Sequence, residues 1–432
     1  MKKKYLGFIL PSTLSFLLTG IYSIVDGIFV GRAMGDDGLA AINIAWPLVA
    51  LIFSLGTGIG MGASVMVSLN RGAGDDETAR RMEGNAFFLL FTGAFLLVAF
   101  LFLAGSPLLT LLGAEGIIHT HALIYLRYML AGGIIQVLAS GSIPLMRNRG
   151  AAVYSMCSMA CGCLINIVLD YYLVLLAGWE LFGAAAATVC GQSVTLIFCL
   201  AFFLQRKNRI ALKNIRPDGK AVSSILKVAA SPFGLTYLPS VTIIVMNLQC
   251  LKYGGEQAVS AYAVLAYLVS FMELVVQGIS DGSQPLLSLA RGSGDGRALK
   301  CYTRWTFFLG ICLGAISGIL VFALRSMIPV FYGTSTEAAR LIVRSAPAFC
   351  AVMAMYGLTK PAVSYFYATK SLLQSSLLVY GEVLLTLVVI FTLPLLLGLD
   401  GIWLTMPLVQ LLLCLASIAF LVRKPKAEIG NH

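Results

Sequence analysis

Charged side chains are scarce in this chain. Asp, Glu, Lys and Arg make up 11% of its 432 residues, and only 19 residues are acidic, where soluble domains carry roughly 25% charge. Histidine is scarcer still: His119, His121 and His432 are the full set. The His119-Thr-His121 pair supplies two ligands at most and is a weak metal signal. Nor does any nucleophile–base constellation stand out, which argues against an integral membrane enzyme. No filter sequence recurs as around a pore, which argues against a channel. Cysteine occurs ten times, but without paired spacing. Cys157, Cys161 and Cys163 share one apolar run, where cysteine behaves as a small apolar residue. No cofactor is expected.

What fills the sequence is apolar. Hydrophobic residues make up 59% and the mean hydropathy is +0.90, more apolar surface than a soluble core absorbs. Runs of about 20 apolar residues, long enough to cross a bilayer, fall at 5–31, 39–69, 84–105, 117–145, 153–176 and 182–204. A second set falls at 225–251, 258–289, 302–324, 343–368, 372–397 and 401–422. The chain therefore reads as an all-α polytopic membrane protein with about twelve transmembrane helices. Its expected domains are an amino-terminal six-helix bundle (1–210), a cytoplasmic linker (211–224) and a carboxyl-terminal six-helix bundle (225–432).

The sequence also repeats itself. Residues 62–75 read GASVMVSLNRGAGD and residues 282–295 read GSQPLLSLARGSGD, identical at seven of fourteen positions. Six spans per half bring both halves into the membrane from the same side, so the copies should be parallel repeats. Transporters of this build place a substrate site between repeats and rock them around it.

The net charge of +11 follows the positive-inside rule and does not call for nucleic acid. Lys2–Lys4, Arg71, Arg80, Arg81, Arg147, Arg149, the linker with Lys213 and Arg216, Arg291, Lys370 and the end with Arg423, Lys424 and Lys426 alternate with loops poor in base. Both termini are expected in the cytoplasm, the protein lying in the plasma membrane as a monomer in contact with lipid.

Glycines and prolines inside the spans read as packing devices. Gly56, Gly58, Gly60 and Gly62 form overlapping G-x-x-x-G pairs, which let membrane helices approach closely; the strand needed for a nucleotide loop is missing. Pro11 and Pro232 occupy equivalent places in the two halves and can hinge a helix.

The sharpest functional signal is acid inside apolar sequence, where a carboxylate costs about 2.5–3.5 kcal/mol at the bilayer centre on insertion scales. Asp26 lies late in the first run. Asp170 lies in the fifth, and Asn166 four residues earlier shares its helical face. Glu273, Asp281 and Glu382 are further acidic candidates, for a substrate site or a second acidic site. Asn247 takes the second-half place of Asp26, so the duplicated site has lost its charge there.

At these residues the chain resembles the MATE family (multidrug and toxic compound extrusion) over essentially its whole length. SIVDGIFVGRAMGDDGLAAINIAWPL, NRGAGDDETARR, NIVLDYYLV with GAAAATVCGQ, and SQPLLSLARGSGD carry the likeness. The resemblance implies two six-helix bundles in a V, alternating access, and antiport in which inward Na⁺ or H⁺ drives export of an organic cation or amphiphile. It places a cation or proton site on Asp26, Asn166, Asp170 and Thr188 and a hinge at Pro11. It departs from NorM-type members, since 225–251 holds no acid, and lies closer to the DinF/MepA-like branch. The alternative is a flippase for lipid-linked oligosaccharide or polar lipid. Such a protein would line its cavity with basic residues, so the placement of Lys360, Arg344 and Arg304 bears on it.

Overall fold

The computed structural model describes residues 1–210, 215 and 217–422. Linker residues 211–214 and 216, with Lys213 and Arg216, and the basic end 423–432, with Arg423, Lys424 and Lys426, lie outside the described residues.

The expected all-helical membrane fold is found. Spans 1 and 2 are Lys2–Met34 and Ala40–Gly72, and span 3 is Asp76–Leu111. Span 4 is a bent pair, Gly116–Ala131 and Gly133–Asn148, meeting at 59°. Spans 5 and 6 are Ala152–Leu176 and Glu180–Leu204. Helix Gly219–Gly292 has 74 residues, about 111 Å at 1.5 Å per residue, far more than a bilayer holds. Gly255, at φ 64° and ψ −164°, breaks it into spans 7 (219–254) and 8 (256–292). Spans 9 to 12 are Gly296–Leu324, Thr336–Ala368, Leu372–Leu397 and Leu399–Val422. Twelve spans are thus traced among the described residues.

The break in span 4 was not legible in its hydropathy. The chain turns at Gly132, where a side chain would overlap Val189 of span 6. Buried Gln136 then donates to the Met129 carbonyl at 2.9 Å, serving a backbone group near the bend.

The helices also overrun the apolar runs, because their ends are capped outside them. Asp75 accepts from the Thr78 amide at 2.9 Å, and Asp295 accepts from the Ala298 amide at 2.9 Å. Each acid follows a glycine at positive φ, Gly74 (82°) and Gly294 (69°). The repeated Gly-x-Gly-Asp is therefore a helix stop followed by an N-cap for the next helix.

Apolar side chains fill the interior, as in a soluble bundle, but they also cover the outside. Large apolar side chains such as Leu96 and Leu103 on span 3 point outward, while Ser54, Ser64 and Ser68 on span 2 are buried. The alternating glycines of span 2 serve two neighbours. Gly56 and Gly60 meet span 4 at Val137 and Gly141, and Gly58 and Gly62 meet span 7 at Phe233, Ala229 and Ile225.

The chain forms two compact units. One holds Met1–Ser240 and Asp281–Leu299, the other Val241–Ser280 and Lys300–His432.

Candidate functional site

Spans 5 and 6 touch through glycine. The Gly191 carbonyl lies where a Gly162 side chain would begin, and the Gly162 carbonyl does the same at Gly191, each 2.7 Å from the missing Cβ. Four residues beyond Gly162 stands Asn166, and three before Gly191 stands Thr188, so this contact holds the two side by side. The Asn166 amide donates to Thr188 Oγ1 at 3.4 Å. Turned over, it donates to Asp170 Oδ2 at 3.3 Å and accepts from the Thr188 amide at 3.2 Å. Immediately after Asp170 the helix widens into a π turn, Tyr171–Leu176, a distortion that often marks functional positions.

Span 1 supplies the opposing acid. Asp26 reaches hydrogen-bonding range of Asp170. One oxygen of each, Asp26 Oδ1 and Asp170 Oδ1, is buried without a hydrogen-bond partner. Two carboxylates this close repel unless a cation or a shared proton lies between them. The donor set is all oxygen: two carboxylates, an amide and a hydroxyl. The four residues Asp26, Asn166, Asp170 and Thr188 are thus brought together in one unit.

Two tyrosines lie near this cluster and escaped the sequence reading. Tyr22 and Tyr125 both lie within electrostatic range of Asp26 and Asp170. Tyr22 carried a usable signal, since it precedes Asp26 by one helical turn. Tyr125 comes from the first half of the bent span 4, which no spacing rule connects to span 1.

Span 1 itself carries a run of hydroxyl bonds to its own backbone. Ser15 donates to the Pro11 carbonyl at 2.8 Å, Thr19 to Ser15 at 3.0 Å and Ser23 to Thr19 at 3.0 Å. Such back-bonding bends helices. The second copy repeats its start, with Thr236 donating to the Pro232 carbonyl at 3.0 Å.

The other unit gathers a different cluster. Lys360 Nζ lies 2.7 Å from Glu273 Oε1 and 3.5 Å from Glu382 Oε2. It also sits 4.5 Å from the centre of the Tyr356 ring. Tyr356 Oη donates to Glu382 at 3.1 Å, and Gln410 donates to the same oxygen at 2.7 Å. Lys360 is 2% exposed and each glutamate 18%. Glu273 and Glu382 therefore meet around a lysine. Asp281 instead pairs with Arg147 at 3.8 Å. Asn247 keeps a buried Oδ1 without a donor. Arg344 is bound to Asp400 at 2.5 Å.

A family model described as MatE matches residues 11–172 and 235–399. Multidrug export protein MepA of Staphylococcus saprophyticus is 27% identical over 323 residues, covering 74% of this chain and 71% of that protein. MepA of Staphylococcus aureus strain NCTC 8325 is 25% identical over 322 residues, covering 73% and 71%. Among solved structures, a MOP superfamily transporter from Pyrococcus furiosus superposes with a TM-score of 0.90 at 20% identity, covering 97% of this chain and 94% of that one. A multidrug resistance MATE transporter in an outward-facing conformation gives 0.86 at 21% identity, with the same coverage of both chains.

Proposed function

Since this chain belongs to the MatE family, a family of membrane transporters and not of enzymes, we propose that it exports small organic cations or amphiphilic toxic molecules. Export is coupled to inward flow of H⁺ or Na⁺ through Asp26, Asn166, Asp170 and Thr188, and proceeds by alternating access. The chain is a multi-pass membrane protein; the distribution of its basic loops supports cytoplasmic termini.

One observation carries the reading. Asp26 and Asp170, from different spans, converge with one unpartnered buried oxygen each. That arrangement is costly in a membrane unless a cation or proton visits it. Removing the visitor raises the repulsion, so occupancy and conformation become linked through differential affinity. Pro11, in the same helix as Asp26, supplies a place where span 1 can bend.

The lysine cluster favours export of cations over flipping of anionic headgroups. Lys360 is held between Glu273 and Glu382, and Arg344 is held by Asp400. Neither offers an unshared positive charge to a phosphate. The carboxylates outnumber the lysine, so the cluster is acidic overall.

Counterflow in proteoliposomes tests the reading, with imposed H⁺ or Na⁺ gradients and a panel of fluorescent organic cations. Gradient-stimulated movement of at least one cation is expected, and the effective gradient names the coupling ion. Movement of a polar lipid with no response to either gradient would overturn it.

A further inference from the structure

The repeated motif is where its two copies touch. Within the first compact unit, Gly72 of span 2 faces the Leu289 carbonyl of span 8, and Gly292 faces the Leu69 carbonyl. These are equivalent positions exchanged between copies, as in a self-complementary two-fold contact. Farther from the loops, Ser64 donates to Gln284 Oε1 at 2.9 Å, 220 residues away. Gln284 in turn donates to Ser288 at 3.0 Å. Asn148, at the end of span 4, donates to Ser64 Oγ at 2.8 Å and accepts from Ser68.

Arg147 closes this seam at its deep end. Its guanidinium donates to Ser12 Oγ at 2.8 Å and lies 3.8 Å from Asp281. Arg147, Ser12 and Asp281 are all buried. Ser12 follows Pro11 directly. Gly282, next to Asp281, is pressed against the backbone of Phe8 and Ile9. Asp281 is also the residue at which span 8 passes from one compact unit to the other. One side chain from span 4 therefore joins span 1 at its proline to span 8 at its crossover.

A buried ion pair of this kind adds little to stability over an apolar replacement, and its best-attested use is to fix one arrangement against another. We propose that Arg147 is a positioning residue for transport. It latches span 8 to the proline end of span 1, so the seam between the repeats parts only when span 1 shifts at Pro11. A displacement of about 1 Å takes a hydrogen bond of this length out of range, and Ser12 moves with any bend at Pro11. Losing Ser12 leaves the guanidinium with less of what offsets its burial, which destabilises the closed arrangement as a whole relative to one in which Arg147 and Asp281 part in water. The inference rests on the exporter reading.

Full-length protein in lipid nanodiscs and proteoliposomes tests it. Three quantities are compared: hydrogen exchange of peptides covering 62–72 and 281–292, equilibrium binding of ethidium, and gradient-driven ethidium efflux. Arg147→Gln and Asp281→Asn should each speed exchange in both peptides about tenfold or more and depress driven efflux, with the ethidium Kd moving less than about twofold. The double swap Arg147→Asp with Asp281→Arg should recover part of both losses. Ser12→Ala, which removes one hydroxyl and endangers folding least, should act in the same direction to a smaller extent.

Unchanged exchange at the seam in Ser12→Ala and Asp281→Asn overturns the latch. So does a fall of binding and efflux in step, or a swap no better than the single changes. A wild-type protein that moves no organic cation defeats the exporter reading, while the exchange data still report on the latch.

Discussion

Lys360, itself buried, pairs with the half-buried Glu273 at 2.7 Å, within one unit and across 87 residues of sequence. A second acid, Glu382, shares the same ammonium. The lysine is therefore a resident cation that the helices carry with them. This sets the carboxyl-terminal acids apart from Asp26 and Asp170, which have no such partner among the described residues.

Removing that resident cation should be severe. Lys360→Met leaves the half-buried Glu273 and Glu382 facing each other without their cation, at a cost approaching the ~3–5 kcal/mol of breaking a fully buried pair. Thermal unfolding in detergent should show a marked loss in Lys360→Met and recovery when Glu273→Gln and Glu382→Gln are added. A triple variant as unstable as the single one would show that charge is not the reason.

Asp26→Asn should abolish coupling and spare the scaffold. Neutralising an intramembrane acid removes a cost as well as a function, so insertion and monodispersity should hold while gradient-driven efflux falls at least about tenfold. Reconstitution at matched protein levels checks this. Near-normal driven efflux would exclude Asp26 from the coupling site.

The glycine contact between spans 5 and 6 should matter as much as the polar groups it aligns. Gly191→Val places a branched side chain against the Gly162 carbonyl and Asn166 Cβ. Overpacking of this sort costs about 1–3 kcal/mol, and parting the helices separates Asn166 from Thr188. Driven efflux should drop although no polar atom has been removed, and Gly191→Ala should have a smaller effect. Equal activity in Gly191→Val and wild type would mean that the Asn166–Thr188 pairing is dispensable.

Outside the membrane, Asp75 offers a pH-dependent test of the repeated turn. The Thr78 hydroxyl and amide hold its carboxyl below the usual carboxylate range. A carboxylate lowered on folding contributes stability above its unfolded value, near 3.9, and loses it as pH falls through the lowered one. Asp75→Ala should therefore speed amide exchange at the start of span 3 at neutral pH. The gap between variant and wild type should close in strong acid. A gap independent of pH would remove the charged cap as its cause.

The architecture was legible because burial in a bilayer is a local property. A run such as 182–204 declares itself without reference to any other. The acids Asp26 and Asp170 stood out for the same reason, each being costly in its own span. Asn166 came with Asp170 through helical spacing. The repeat at 62–75 and 282–295 announced a duplication, and Gly-x-Gly-Asp within it is a turn and cap that can be read residue by residue.

What the sequence by itself determined, then, is the membrane class, the number of spans and the few polar groups expensive enough to need a use. Tertiary structure alone decided which of those groups meet. Glu273, Asp281 and Glu382 look alike in the sequence, yet Lys360 gathers the first and last while Arg147 takes Asp281. Tyr125 is brought near the Asp26–Asp170 pair from the first half of a bent span. Such partnerships are set by helix contacts, at Gly162–Gly191 and at Gly72–Gly292, between residues far apart in the chain. Hydropathy reports how much a side chain gains or loses by entering lipid; it holds no information about the azimuth at which two helices come to face each other.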